Sequence, residues 1–151
     1  MAKDDRLRVP IDDPYLHALG LALFCFASLE WNAVYVAQRI SANGHNRSAS
    51  PDYLKRAKGR TAGDIGKDLV KYAQGIADAA IREQVIAAAE TFKLLVERRN
   101  ALMHANPATA PNGDQRLFRN SDQWTIEAVS DLADDLTNCS LQFNHLIHHV
   151  L

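Results

Sequence analysis

The residues best suited to chemistry in this chain are Arg99 and His104, within Glu97-Arg98-Arg99-Asn100-Ala101-Leu102-Met103-His104. An arginine carries a permanent charge on a planar fork that matches two phosphate oxygens. A histidine takes or gives a proton near neutral pH. Phosphodiester cleavage without a metal needs both: a base to activate the nucleophile, and a cation where charge builds on the phosphate. Asn100 adds a side chain able to orient either group.

A helix must carry these residues. Ile81, Val85, Ala88, Phe92, Leu95, Val96, Leu102 and Met103 recur at helical spacing. They predict a helix from about Asp78 to Ala105, with Pro107 marking its end. Arg99 falls on that apolar line, four residues after Leu95 and four before Met103. Burying a charge there is costly unless a partner or ligand meets it. Glu97, Asn100 and His104 share a neighbouring face. On an ideal helix Arg99 and His104 point about 140° apart. They can serve one site only if the arginine curls round, the helix distorts near Pro107, or a second copy completes the arrangement.

The spacing from Arg99 through the polar Asn100 to His104 resembles the Arg-X4-6-His signature of the HEPN superfamily. Its best-known members are metal-independent ribonucleases of toxin–antitoxin and phage-defence systems. The resemblance implies an all-α bundle of four or five helices that forms a homodimer, with two motifs meeting across a two-fold axis. It implies that His104 takes the proton from a ribose 2′-OH and that Arg99 stabilises the phosphate. A 2′,3′-cyclic phosphate and a free 5′-OH would result, with no metal or other cofactor. RNA and a cognate antitoxin or regulatory protein are the partners it suggests. Toxins of this family that a nucleotidyltransferase modifies carry a Tyr two residues after the His; here that position is Asn106, so this regulation is not expected. Some members are inactive scaffolds, so the alternative is a non-catalytic helical module that binds RNA or a protein, with Arg99 in a structural ion pair.

Glu30 is the obvious partner for such a pair. A first helix should start at Pro14, capped by Asp12 or Asp13, and stop at Asn43-Gly44. Its line of Leu16, Leu19, Leu23, Phe26, Glu30, Ala33, Ala37 and Ile40 is apolar except for that carboxylate. An Arg99–Glu30 pair could be purely structural or could hold the arginine fork for catalysis. The other side of the helix, with Leu21, Phe24, Cys25, Trp31 and Tyr35, is also apolar, which fits cover by a second subunit.

Lys55, Arg56, Lys58 and Arg60 form the densest basic run, between a short helix starting at Ser50-Pro51 and another opened by Thr61 and Asp64. With Arg98, Arg116 and Arg119 they could contact RNA backbone, or they could be a solvated connector. Tyr53, Phe118 and Trp124 are candidates to stack on bases, although core or interface roles are commoner for such residues. Positions 105–115 read as a loop, Arg116–Arg119 and Gln123–Ile126 as a hairpin or loop insertion, and Glu127–Val150 as the last helix. His145 and His149 have the spacing of a metal pair but no third ligand nearby, and suit a solvated helix end better.

The chain has 151 residues, 47% hydrophobic and 23% charged, with net charge −1. This describes one globular domain over 14–151, preceded by a flexible arm over 1–13. Contact with nucleic acid must then come from a local patch. Cys25 and Cys139 read as buried free thiols. The apolar run Ala18–Leu29 looks too short to span a bilayer, and no signal peptide is visible, so a cytoplasmic protein is expected. Gly-rich phosphate loops and Ser-His-Asp arrangements are missing from the sequence.

Overall fold

The computed structural model describes residues 10–151. Five α-helices and a small sheet follow in the order α1 (Asp13–Ala42), α2 (Tyr53–Arg56), α3 (Ala62–Gln74), α4 (Ala79–Met103), β1 (Asn106–Thr109), β2 (Gln115–Arg119), β3 (Asp122–Trp124) and α5 (Ile126–His145). A π-helical turn over Leu146–Val150 ends the chain. The protein is a mostly helical bundle with a three-stranded antiparallel insertion before the last helix.

The helix starts follow from local capping. Asp12 accepts a hydrogen bond from the Tyr15 backbone, Thr61 and Asp64 form a reciprocal capping box, and Asp78 and Thr125 cap α4 and α5. α1 packs mainly on α5, and α3 mainly on α4. The core between them holds Phe26, Leu29, Leu69, Phe92, Leu132 and Phe143, with the Phe92 and Phe143 rings 5.9 Å apart.

The buried side of α1 differs from its expected seam. Ala18 and Ala22 are buried, whereas Leu16 and Leu23 are 51% and 62% exposed. The small side chains lie inward, and the large ones are left outside with Leu21, Phe24, Trp31 and Tyr35. α1 runs through Glu30 as expected, so its apolar stretch is not confined to Ala18–Leu29. By length and composition it could cross a bilayer, and 33% of its most apolar window is buried within the chain.

The sheet corrects a second expectation. Residues 106–109, expected in a loop, form β1, paired from Asn106↔Phe118 to Thr109↔Gln115. Tyr15 binds the sheet to α1: its fully buried hydroxyl donates to the Trp124 carbonyl at 2.7 Å and accepts from the Leu117 N–H at 3.1 Å. Arg116 is buried beside it, stacked 4.3 Å from the Tyr15 ring and ion-paired to Asp12 and Asp114. Of the arm expected at 1–13, positions 1–9 lie outside the described residues, and Asp12 is tied into the body through Arg116.

Candidate active site

Helix α4 carries the site. Its buried stripe of Val85, Ala88, Ala89, Phe92, Leu95, Val96 and Leu102 leaves one slot for Arg99. The arginine reaches across to α1, where its Cζ lies 4.1 Å from the centre of the Phe26 ring. Its Nε is buried and has no hydrogen-bond partner among the described residues. A guanidinium held against an aromatic face, with a donor unused, is arranged to receive an anion.

His104 is the residue at which α4 stops. Its backbone leaves helical geometry (φ −99°, ψ 9°), and its N–H donates to the Asn100 carbonyl at 3.0 Å. Arg119 of β2 reaches the His104 carbonyl at 3.4 Å, linking the sheet to this helix end. The side chain is exposed.

One cleft of about 540 Å³ is lined by Arg99, Asn100, His104 and Glu30, together with Arg60, Thr61, Ala62 and Gly63. Both residues thus line one site within a single chain. Glu30 is the only carboxylate in this lining. It makes no ion pair with Arg99 within 4 Å, so the expected structural pair is not formed; the arginine rests on Phe26 instead. The first turn of α3 adds the positive end of a helix dipole to the cleft.

Arg60 faces the same cleft under tight control. Its Nε and Nη2 donate to one oxygen of Asp68, at 3.0 and 2.7 Å, and the Tyr53 hydroxyl donates to that same oxygen at 2.8 Å. The hydrogen bond to Asp68 raises the Arg60 guanidinium above its ordinary range, so its charge is secure. Burial, reinforced by Asp68, pushes the Tyr53 phenol up as well, so it stays a neutral donor. Two guanidiniums, one fixed by Phe26 and the other by Asp68, therefore border one histidine.

Other expected contacts lie elsewhere. Arg98 is ion-paired to Asp135 at 2.6 Å and lines a separate groove between α4 and α5, so it does not join the cleft. Lys55 and Lys58 are exposed, with Lys55 near Asp52. Arg56 lies by Tyr72 in a neighbouring cleft. Arg116 is enclosed by its acidic partners, which removes it from the RNA-contact candidates. Tyr53 is 1% exposed and cannot stack on a base.

Asp68 and the α3 turn were missed in the sequence. The Thr61–Asp64 pattern marks a helix start, but nothing local tells that this start faces Arg99 or that Asp68 pairs with Arg60 eight residues earlier.

The His145 and His149 rings lie 5.3 Å apart, and among the described residues no group of three or more His, Cys, Asp or Glu could hold a metal ion. Comparison of the chain with protein-family models, with curated proteins and with solved structures finds no match.

Proposed function

We propose that the protein is a metal-independent endoribonuclease of HEPN type, in a toxin-like or defence role. One observation carries the reading: Arg99, Asn100, His104 and Glu30 line a single cleft, in the spacing that resembles the signature of that superfamily.

The chemistry follows from the side chains. His104 takes the proton of a ribose 2′-OH, and the 2′-oxygen attacks the adjacent phosphorus. As the new P–O bond forms and the P–O5′ bond breaks, negative charge grows on the non-bridging oxygens. Arg99 and Arg60 stabilise it with charge-assisted hydrogen bonds from their guanidinium groups. The departing 5′-oxygen takes a proton from water at the open side of the cleft. Asn100 orients His104 or the phosphate, and Glu30 balances part of the two guanidinium charges. The products are a 2′,3′-cyclic phosphate and a 5′-hydroxyl.

The reading includes a homodimer. Leu21, Phe24, Trp31 and Tyr35 recur along one side of α1 at spacings of three, seven and four residues, and are 44% to 73% exposed. A seam of this kind with no charge across it is self-complementary and suits a two-fold helix pair. A cognate antitoxin or regulatory protein is the further partner that this role implies.

The test is cleavage of end-labelled RNA by wild type and by His104→Ala, each with and without EDTA. Expected are cyclic-phosphate ends, activity that survives EDTA, and loss of at least about 100-fold in the variant. Cleavage abolished by EDTA, or unchanged in His104→Ala, would overturn the assignment. A folded protein inactive on several RNAs would favour a binding module.

A further inference from the structure

Next to the Arg99–His104 cleft lies a second polar cleft of about 580 Å³, between the loop after α1 and helix α3. Arg47, Arg56 and Lys71 contribute its cations. None of the three makes an ion pair within 4 Å among the described residues. Asp68 is the only carboxylate lining it, and one of its oxygens is already taken by Arg60 and Tyr53. In a chain of net charge −1, this is a marked local excess of positive charge.

The cleft has a fixed wall. Asn46 is 7% exposed; its Nδ2 donates to the Tyr72 carbonyl at 2.9 Å, and its Oδ1 accepts from the Ser48 N–H and hydroxyl at 3.0 and 2.8 Å. Those bonds pin the loop that carries Arg47 against α3. Gly75 permits the approach, since a Cβ there would stand 2.2 Å from Asn46 Nδ2. The backbone amide, hydroxyl and carbonyl bonded to Asn46 thus hold Arg47 beside Arg56 and Lys71.

Asp68 joins the two clefts: it lines the second, and it holds Arg60 at the edge of the first. We infer that the second cleft is a phosphate-binding subsite for the same RNA strand, with Arg47, Arg56 and Lys71 contacting backbone phosphates while Arg60 bridges to the scissile position. This rests on the ribonuclease reading for the identity of the ligand, and it makes the substrate a single strand several nucleotides long rather than a dinucleotide. A phosphodiester chain fits three cations without carboxylate partners, in a cleft tied to the first through the Asp68–Arg60 pair.

The test is binding, which separates it from catalysis. The probe is a non-cleavable 2′-O-methyl RNA of roughly 12 nucleotides, measured by fluorescence anisotropy across a salt series. The proteins are wild type and a triple variant with Arg47→Gln, Arg56→Gln and Lys71→Gln. All three substituted residues are exposed, and unchanged circular dichroism checks the fold. The triple variant should bind at least about 10-fold more weakly at low salt, and its log–log salt slope should be shallower by about 2, from about 0.7 per lost single-strand phosphate contact. A 2′-O-methyl dinucleotide should not distinguish wild type from the triple variant. An unchanged slope, an equal loss on the dinucleotide, or no binding of the longer probe to wild type would overturn the inference. The expected slope change in a protein that cleaves nothing would uphold the subsite and remove the ribonuclease reading.

Discussion

Arg99 and His104 line one cleft, the arginine lying on the ring of Phe26 and the histidine standing at the C-cap of the same helix. Two features of α4 produce this. Its apolar repeat sends Arg99 inward, where only a long side chain can get back to the surface. Its end at Met103 leaves His104 as an exposed C-cap residue, just before β1 begins at Asn106. The two residues share this cleft within one chain, which leaves the exposed side of α1 free for a separate role.

That role gives the first prediction. Wild type should have twice the 16.8 kDa chain mass in light scattering after size exclusion. Phe24→Asp, at the most exposed position of the α1 stripe, should run near one chain mass while keeping its helical circular dichroism. A wild-type monomer, or a variant that stays dimeric, would remove this face from the account.

Tyr15 should matter more for stability than a hydroxyl usually does. Tyr15→Phe leaves the Trp124 carbonyl and the Leu117 N–H without their side-chain partner at a buried joint. The loss should be about 1–3 kcal/mol in urea denaturation, with an unchanged slope. The stacked Arg116 keeps an aromatic face in the variant, so the change isolates the hydroxyl. A loss under about 0.5 kcal/mol would mean that the sheet is not anchored through this group.

The Asp12–Arg116 pair predicts a pH dependence. The hydrogen bond from Arg116 holds the Asp12 carboxyl below the usual carboxylate range. Unfolded, the group titrates near about 3.9. Its stabilising effect is therefore full above that value and is lost as pH falls through the lower folded-state value. Asp12→Asn keeps a good helix cap while removing the charge. The melting temperature of the variant should fall below wild type at pH 6, and the gap should narrow steadily as pH falls below about 4. A gap that stays constant through the acid range would show that the ion pair is not its source.

Much of this fold could be read locally, and what could not was non-local. Asp12, Thr61–Asp64 and Asp78 announce helix starts because a cap needs only residues three or four apart. The buried side of α1 was not legible in its first half, because Leu16, Leu19, Leu23 and Phe24 make the helix apolar all round. Periodicity cannot choose a face there; the close approach of α5 selects Ala18 and Ala22. β1 was missed because Asn106-Pro107-Ala108-Thr109 has neither alternation nor strand formers, and all four residues are exposed. It is a strand only through its pairing with β2.

The site shows the same division. The spacing of Arg99 and His104 was visible in the sequence, whereas the cleft they share with Glu30 of α1 and the first turn of α3 was not. Arg98 was grouped with them by proximity, yet Asp135, 37 residues away, claims its side chain. Arg60 was one cation in a basic run, whereas Asp68 and Tyr53 single it out. Each difference was made by a partner distant in sequence.

The most direct test of the central claim is whether Arg99 and His104 act as one unit. Single-turnover cleavage of an end-labelled RNA would be compared for wild type, Arg99→Ala, His104→Ala and the double variant. Residues that serve one transition state are strongly non-additive. Each single variant should lose at least about 100-fold, and the double variant should be little worse than the poorer single. Losses that multiply in the double variant, or a single variant with full activity, would contradict a shared catalytic site.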